Sequence, residues 1–203
     1  MDRAHPPVYS LLEQAADVVR REKEAAGTLE PTESYKRGQI GALTSFANSQ
    51  NLWINLDDLE VEFLSKGGEN EVFTGDKDAI VIKLNNFEYA GDDLENFFVR
   101  IFAHNFFFSN VPYEMIGFAY NSKKEFCAVL IQPYIIAERE ATSKEIDRYM
   151  QALGFIMDYT DEFHNGNYEI FDATPDNVLY GVDGDLYFID TQIRMKKQHI
   201  SSP

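Results

Sequence analysis

Apolar side chains recur at Val8, Leu11, Leu12, Ala15 and Val19, the 3.6-residue period of an amphipathic helix over residues 8 to about 25. Ser10 with Glu13 has the spacing of a capping box, and Pro6 and Pro7 stand just outside the helix start. The stretch GTLEPT, residues 27–32, breaks that pattern. A second helix is expected from Ser34 to about Asn51, with Ile40, Leu43, Phe46 and Ala47 on one face and Trp53 and Ile54 behind it. The two helices read as an extension whose apolar faces need a partner surface.

From Leu59 the period drops to two. LEVEFLS alternates as a half-buried strand does, KGGENEVF is a turn leading into a second strand, and AIVIKL follows the polar turn TGDKD as a third. Residues 91–108 return to helical spacing, with Leu94, Phe97, Phe98, Ile101, Phe102 and Phe108 as a wide apolar face that reads as core. Two more strands, MIGFAYN and FCAVLIQPYI, flank the turn NSKKE. Thr142 with Glu145 is a second capping box. It opens a helix expected to reach His164, with Ile146, Tyr149, Met150, Leu153, Ile156 and Met157 inward and Asn165-Gly166 as its C-cap. Last come the strands VLYG and LYFID around VDGD, where Asp183-Gly184 is the hairpin signal and Asp183 and Asp185 are turn residues. The expected class is α+β: a helical extension (1–55), a strand-rich part with one helix (56–136) and a C-terminal part (137–203). There is no internal repeat.

Charge narrows the function. Eighteen Lys and Arg stand against 34 Asp and Glu, a net −16. That disfavours nucleic acid, which needs clustered cations, and an anionic membrane surface. With 44% apolar residues the chain can bury a core. The single cysteine, Cys127, excludes an intrachain disulfide and reads as a small buried hydrophobe. No apolar run approaches the roughly 20 residues that span a bilayer, and no secretory leader pattern opens the chain, so a soluble, cytoplasmic protein is expected. His5, His104, His164 and His199 are scattered and make no zinc spacing. Neither a G-x-S-x-G elbow nor an EF-hand loop is present.

One constellation does carry chemistry. Phosphoryl transfer from a nucleotide needs a backbone-rich loop over the phosphates, a cation on them, oxygen ligands for Mg²⁺ and a carboxylate to orient the nucleophile. Ser65–Val72, with Gly67 and Gly68, is a loop candidate between two strands, since glycine lets backbone approach phosphate closely. Lys83 ends the strand AIVIK as the cation, and Glu95, or more weakly Glu88, is offered as its ion-pair partner. Asp172 and Asn177 fit D-x-x-x-x-N, and Asp190 follows thirteen residues later across a hairpin whose open end brings Asn177 and Asp190 together. Singly, each has a plainer reading: a Gly-Gly hairpin turn, a solvated edge lysine, Asx-turn residues beside Pro175. Order, spacing and strand context together make the signal.

In these stretches — GGENEVF, VIKL, LIQPY, FDATPDNVL and LYFIDTQI — the chain resembles the protein-kinase-like superfamily. More narrowly, it is similar to the small Ser/Thr/Tyr kinase-like domain of polyvalent proteins of phages and conjugative elements, over about residues 59–195. GALTSFANSQNLWI just upstream also looks like that group. The resemblance implies a minimal two-lobe fold: an antiparallel-sheet N-lobe with one helix, and a truncated helical C-lobe with a catalytic hairpin. It further implies ATP and Mg as cofactors, with a nucleotide and an unidentified phosphate acceptor as partners. Gly67 and Gly68 would cover the nucleotide, Val72 would cap the adenine and Lys83 would bind its phosphates. Gln132 to Tyr134 would form the adenine hinge, Asp172 would orient the acceptor hydroxyl, and Asn177 and Asp190 would hold metal. The chain departs from the superfamily pattern at Ser65 and Asn70, which replace glycines, at Phe171, where many kinases have Arg, and at Asp190-Thr191-Gln192 in place of DFG. Only thirteen residues follow Asp190, too few for an activation segment or a peptide-substrate platform. A pseudokinase or nucleotide-binding interaction module is therefore the alternative expectation.

Overall fold

The computed structural model describes residues 10–27, 32–75 and 79–196. Expectations at His5, Pro6, Pro7, Val8, His199, most of the 27–32 break and the centre of the TGDKD turn fall outside the described residues. The chain divides into two compact units: the described residues up to Phe98 together with Glu114–Ile131, and Val99–Tyr113 together with the described residues from Gln132 onward. The architecture is mixed α+β, with four α-helices and antiparallel strand pairs among the described residues.

In the first unit, α1 (Leu11–Ala26) starts at Ser10, whose capping box with Glu13 forms as its spacing demands. Leu12, Ala15 and Val19 are buried. Helix α2 (Glu33–Gln50) runs from the cap Thr32 to Asn51, which takes the left-handed conformation that ends a helix. Its buried residues are Leu43, Ala47 and, against its polarity, Gln39. Strands β1 (Val61–Lys66), β2 (Asn70–Gly75), β3 (Ile80–Asn85), β4 (Glu114–Tyr120) and β5 (Phe126–Pro133) form one sheet in the order β1-β2-β3-β5-β4. Alternation gives the sheet two apolar faces. Ile82, Leu84, Ala119, Cys127 and Val129 share one, packed against Ile54, Leu56 and Leu59. On the other, Phe118 stacks on Phe126 at 5.1 Å, Phe126 on Phe87 at 6.1 Å, and Phe87 meets Phe97 edge-on at 4.8 Å.

The N-terminal helices are built into this sheet. Phe46 of α2 meets Phe118 edge-on, and α1 packs on β4. The chain after α2 adds to the outside of β4: Phe118 N–H donates to Leu52 O at 2.9 Å, and Ile54 N–H to Phe118 O at 2.8 Å. Trp53 stacks on Tyr120 at 5.1 Å. The approach needs Gly117, where an added Cβ would lie 2.4 Å from Leu52 O and 2.7 Å from Ile54 Cγ1.

Helix α3 (Glu95–Phe107) starts four residues later than its apolar pattern suggests, after a 3₁₀ turn at Glu88–Ala90. Leu94, Phe97, Phe98, Ile101 and Phe108 are buried, whereas Phe102 and Phe106, four apart on one flank, stay exposed, so Phe102 is not core.

The second unit corrects the expectation of a helical C-terminal part. Helix α4 (Ser143–Ala152) has its Thr142–Glu145 capping box and buries Ile146 and Met150. It does not reach His164. Gly154 turns left-handed at φ 82°, and the Gly154 and Phe155 N–H groups return to Gln151 O and Met150 O, the C-terminal hydrogen-bond pattern of a Schellman motif. The chain continues as β7 (Ile156–Tyr159), β8 (Glu162–His164) and β9 (Tyr168–Phe171). Ile156 and Met157, expected inward on a helix, are therefore exposed strand residues, and Asn165-Gly166 is a hairpin turn rather than a cap. With β12 (Gln192–Met195) these strands form a sheet ordered β12-β9-β8-β7. A second small sheet, β11-β10-β6, joins β6 (Ala137–Glu140), β10 (Val178–Gly181) and β11 (Leu186–Phe188). The Asp183-Gly184 turn links the last two as its residues require, Gly184 having φ 88°. Phe108, Ile146, Met150, Phe155, Ile170, Val178, Phe188 and Ile193 make the core of this unit, with Phe108 stacked on Phe188 at 4.1 Å. Among the described residues no helix is long and apolar enough to cross a membrane.

Two outcomes follow from this packing. Gly117→Ala lowers the unfolding free energy by about 1–3 kcal/mol through overpacking, and an unchanged denaturation midpoint contradicts the close approach of Leu52. Burial pushes the Cys127 thiol up to about 12. The native protein at pH 8 is expected to leave a colorimetric disulfide reagent unconsumed, and the unfolded chain to react in full.

Candidate functional site

The glycine loop is a hairpin between β1 and β2, closed by Gly67 N–H donating to Asn70 O at 2.9 Å. Gly67 and Gly68 are exposed. Neither has positive φ; the feature that glycine accommodates is the phenol of Tyr89, 2.4 Å from where a Cβ of Gly68 would stand. The loop is tied down by its own acids. Glu69 is buried, accepts the Tyr89 N–H on Oε1 at 3.2 Å and takes the Asn86 N–H on its carbonyl. Glu71 is also buried. Burial pushes its carboxyl up, but hydrogen bonds from Lys66 and Ser122 outweigh this and hold it below the usual range.

Lys83 lies on β3 directly opposite Val72 of β2, so the two side chains stand next to each other on one face of the sheet. Lys83 is 6% exposed. Glu95, the first residue of α3, accepts an ion pair from Lys23 of α1. Glu88 is exposed in the 3₁₀ turn. Gln132 is buried near the end of β5, where its Nε2 donates to Val111 O at 3.0 Å, and Tyr134 beyond it is half-exposed.

In the second unit, backbone pairing positions the remaining candidates. Gln192 of β12 pairs with Phe171 of β9, so Thr191 and Asp190 run on beside Asp172. Val178 of β10 pairs with Phe188 of β11, and the Ile189 N–H donates to Asn177 O at 3.0 Å. The two ladders thus bring the backbone at Asp172, Asn177 and Ile189 to a common end, with Asp190 next in the chain. The Asn177 Nδ2 donates to Asp172 O at 3.0 Å and closes the loop between them. This uses the amide nitrogen and leaves the amide oxygen as an acceptor. Asp172 is held left-handed at φ 59°, a conformation costly for a residue with a Cβ and more tolerated by Asp than by most.

The surroundings contain partners that the sequence did not point to. Arg100 of α3, buried, donates to the Gln192 side chain at 2.7 Å, and Tyr113 donates its hydroxyl to Ile189 O at 3.0 Å. Arg194 lies over the Phe171 ring at 4.2 Å. A buried arginine on an otherwise apolar helix face was the only available signal for the first of these. The hydroxyl oxygens of Thr174 and Thr191 are buried with no hydrogen-bond partner. Each flanks the acids, and an unpaired buried hydroxyl costs about 1–3 kcal/mol unless something else bonds to it.

Among the described residues no three His, Cys, Asp or Glu side chains cluster as a metal cage. The residues expected to hold a metal, Asp190 and Asn177, carry one carboxylate and one amide oxygen. Mg²⁺ takes few protein oxygens and keeps water and phosphate for the rest, so this donor set and the two orphaned hydroxyls fit it.

The Asp172 backbone is separable from its carboxylate by substitution. Asp172→Gly is expected to stay within about 0.5 kcal/mol of the parent protein, while Asp172→Val loses about 1–2 kcal/mol at the same left-handed position. Denaturant midpoints that rank the two variants equally contradict the conformation.

No curated protein matches the chain. The model of one family, the serine/threonine/tyrosine kinases found in polyvalent proteins, matches residues 36–197. That stretch starts inside α2 and takes in every candidate site residue from Gly67 to Asp190; the chain belongs to this kinase family.

Proposed function

We propose that the protein is an ATP- and Mg²⁺-dependent phosphotransferase acting on a hydroxyl of a protein or small molecule. The family supports a kinase-like phosphotransferase in general, and the observation that supports the finer reading is that Asn177 bonds both Asp172 O and the Ile189 N–H, next to Asp190. In this reading the first compact unit is the nucleotide-covering lobe and the second the catalytic lobe. Val72 and the loop at Gly67 and Gly68 cover the nucleotide, and Gln132 to Tyr134 bind the adenine edge through their backbone. Lys83 neutralises phosphate oxygens, and its place beside Val72 on one sheet face suits both roles. Asn177 and Asp190 would hold Mg²⁺, which when bound draws off charge from the phosphates. Asp172 accepts the proton of the attacking hydroxyl as the oxygen–phosphorus bond forms and the bond to the ADP oxygen breaks. Positioned charge does most of the catalytic work in such a reaction.

The test is γ-phosphate transfer or ATP turnover with Mg²⁺, comparing the parent protein with Asp190→Ala. The expected loss is about 10²- to 10³-fold in kcat. Equal rates in the two proteins reject the reading. Thermal stabilisation of the parent by Mg-ATP without turnover assigns the chain to nucleotide binding alone.

A further inference from the structure

Three side chains of the N-terminal helices converge on one short segment, Phe87–Glu95, that leads into α3. Lys36 of α2 donates to Phe87 O at 2.7 Å. Gln39, fully buried, donates its Nε2 to Asp93 Oδ1 at 2.9 Å and accepts the Leu94 N–H on Oε1 at 2.8 Å. Lys23 of α1 bonds Asp93 Oδ2 at 2.9 Å and also the Glu95 carboxylate. Asp93 in turn accepts the Glu95 N–H on Oδ1 at 3.0 Å. The N–H groups of Leu94 and Glu95, at the start of α3 where a helix supplies no internal partners, are thus satisfied by a network anchored on α1 and α2.

This network is too costly to be incidental surface contact. The Asp93 side chain is 9% exposed and Gln39 is 0% exposed. Burial pushes the Asp93 carboxyl up, but Gln39, Lys23 and the Glu95 N–H together hold it below its usual range, so it stays charged inside. The hydroxyl of Tyr35 is buried in the same field with no partner. Phe87, the other end of the gripped segment, is left-handed at φ 62° and fully buried, and its ring meets Phe97 of α3. Lys23 lies upstream of the family's matched stretch, which begins at residue 36.

We propose that α1 and α2 are a built-in clamp on the first turn of α3, with Lys23 its positioning residue. By gripping Asp93 and Glu95, Lys23 sets where Glu95 stands, and displacement of α1 frees it. The consequence for nucleotide rests on the function proposed above, which uses Lys83: Phe87 and Phe97 at the start of α3 pack on the sheet face that carries Lys83, so binding depends on the clamp being closed.

Hydrogen exchange on the full-length protein tests the clamp directly, with Lys23→Met, Lys23→Arg and Gln39→Leu. In Lys23→Met, exchange at Leu94, Glu95 and Asn96 is expected to rise about tenfold while the amides of β8 and β9 keep their rates. Lys23→Arg is expected to restore protection, and Gln39→Leu to expose Leu94 most. Unchanged exchange at α3 in Lys23→Met overturns the clamp. A uniform rise across both units overturns it as well, since that is general loss of stability. Affinity for a non-hydrolysable ATP analogue with Mg²⁺ is the second readout. It is expected to fall in Lys23→Met and recover in Lys23→Arg; loosened exchange with unaltered affinity overturns the link to nucleotide. A parent protein that binds no analogue counts against the proposed function, and the exchange profile still decides the clamp.

Discussion

Backbone pairing brings the segments that carry Asp172 and Asp190 to one end of the second unit's strands. The ladders β9–β12 and β10–β11 open toward the same end, and the loop from Asp172 to Asn177 crosses between them. The loop from Asp172 to Asn177 is closed by the Asn177 amide, which donates to Asp172 O. The hydroxyls of Thr174 and Thr191, one close to each of these acids in sequence, are buried without a hydrogen-bond partner.

The N-terminal helices change what the kinase resemblance implies. A helical extension followed by a catalytic module reads as two parts in series. The segment 52–54 instead extends the sheet beyond β4, Gly117 is bare to admit it, and α1 and α2 reach the start of α3. Cutting the chain near residue 55 removes covering for one sheet face and partners for Asp93 together. The helices therefore belong to the fold of the first unit.

Local rules made much of this visible along the chain. Both capping boxes, at Ser10 and Thr142, form as spaced, because an N-cap needs only residues three positions apart. The alternation in AIVIKL and FCAVLIQP became β3 and β5, and Asp183-Gly184 made its hairpin. The helix expected through His164 stopped at Ala152. Its apolar spacing could continue, but the backbone turned at Gly154, a residue whose freedom to take positive φ was a legible stop signal. Strands β7 to β9 were not legible: they are three or four residues long, and β7 is exposed, so no apolar alternation marks them.

The chain alone determined which groups could do chemistry: a lysine at a strand end, D-x-x-x-x-N, and an acid across a hairpin, each defined by near neighbours. Tertiary structure decided what those groups touch. That Gln192, two residues after Asp190, pairs with Phe171, one before Asp172, depends on β12 meeting β9, twenty and more residues away in sequence. That Glu95 answers to Lys23 depends on a contact spanning 72 positions. Propensity and spacing act over a few residues, whereas such contacts form only when distant segments bury apolar surface together and carry their polar groups along.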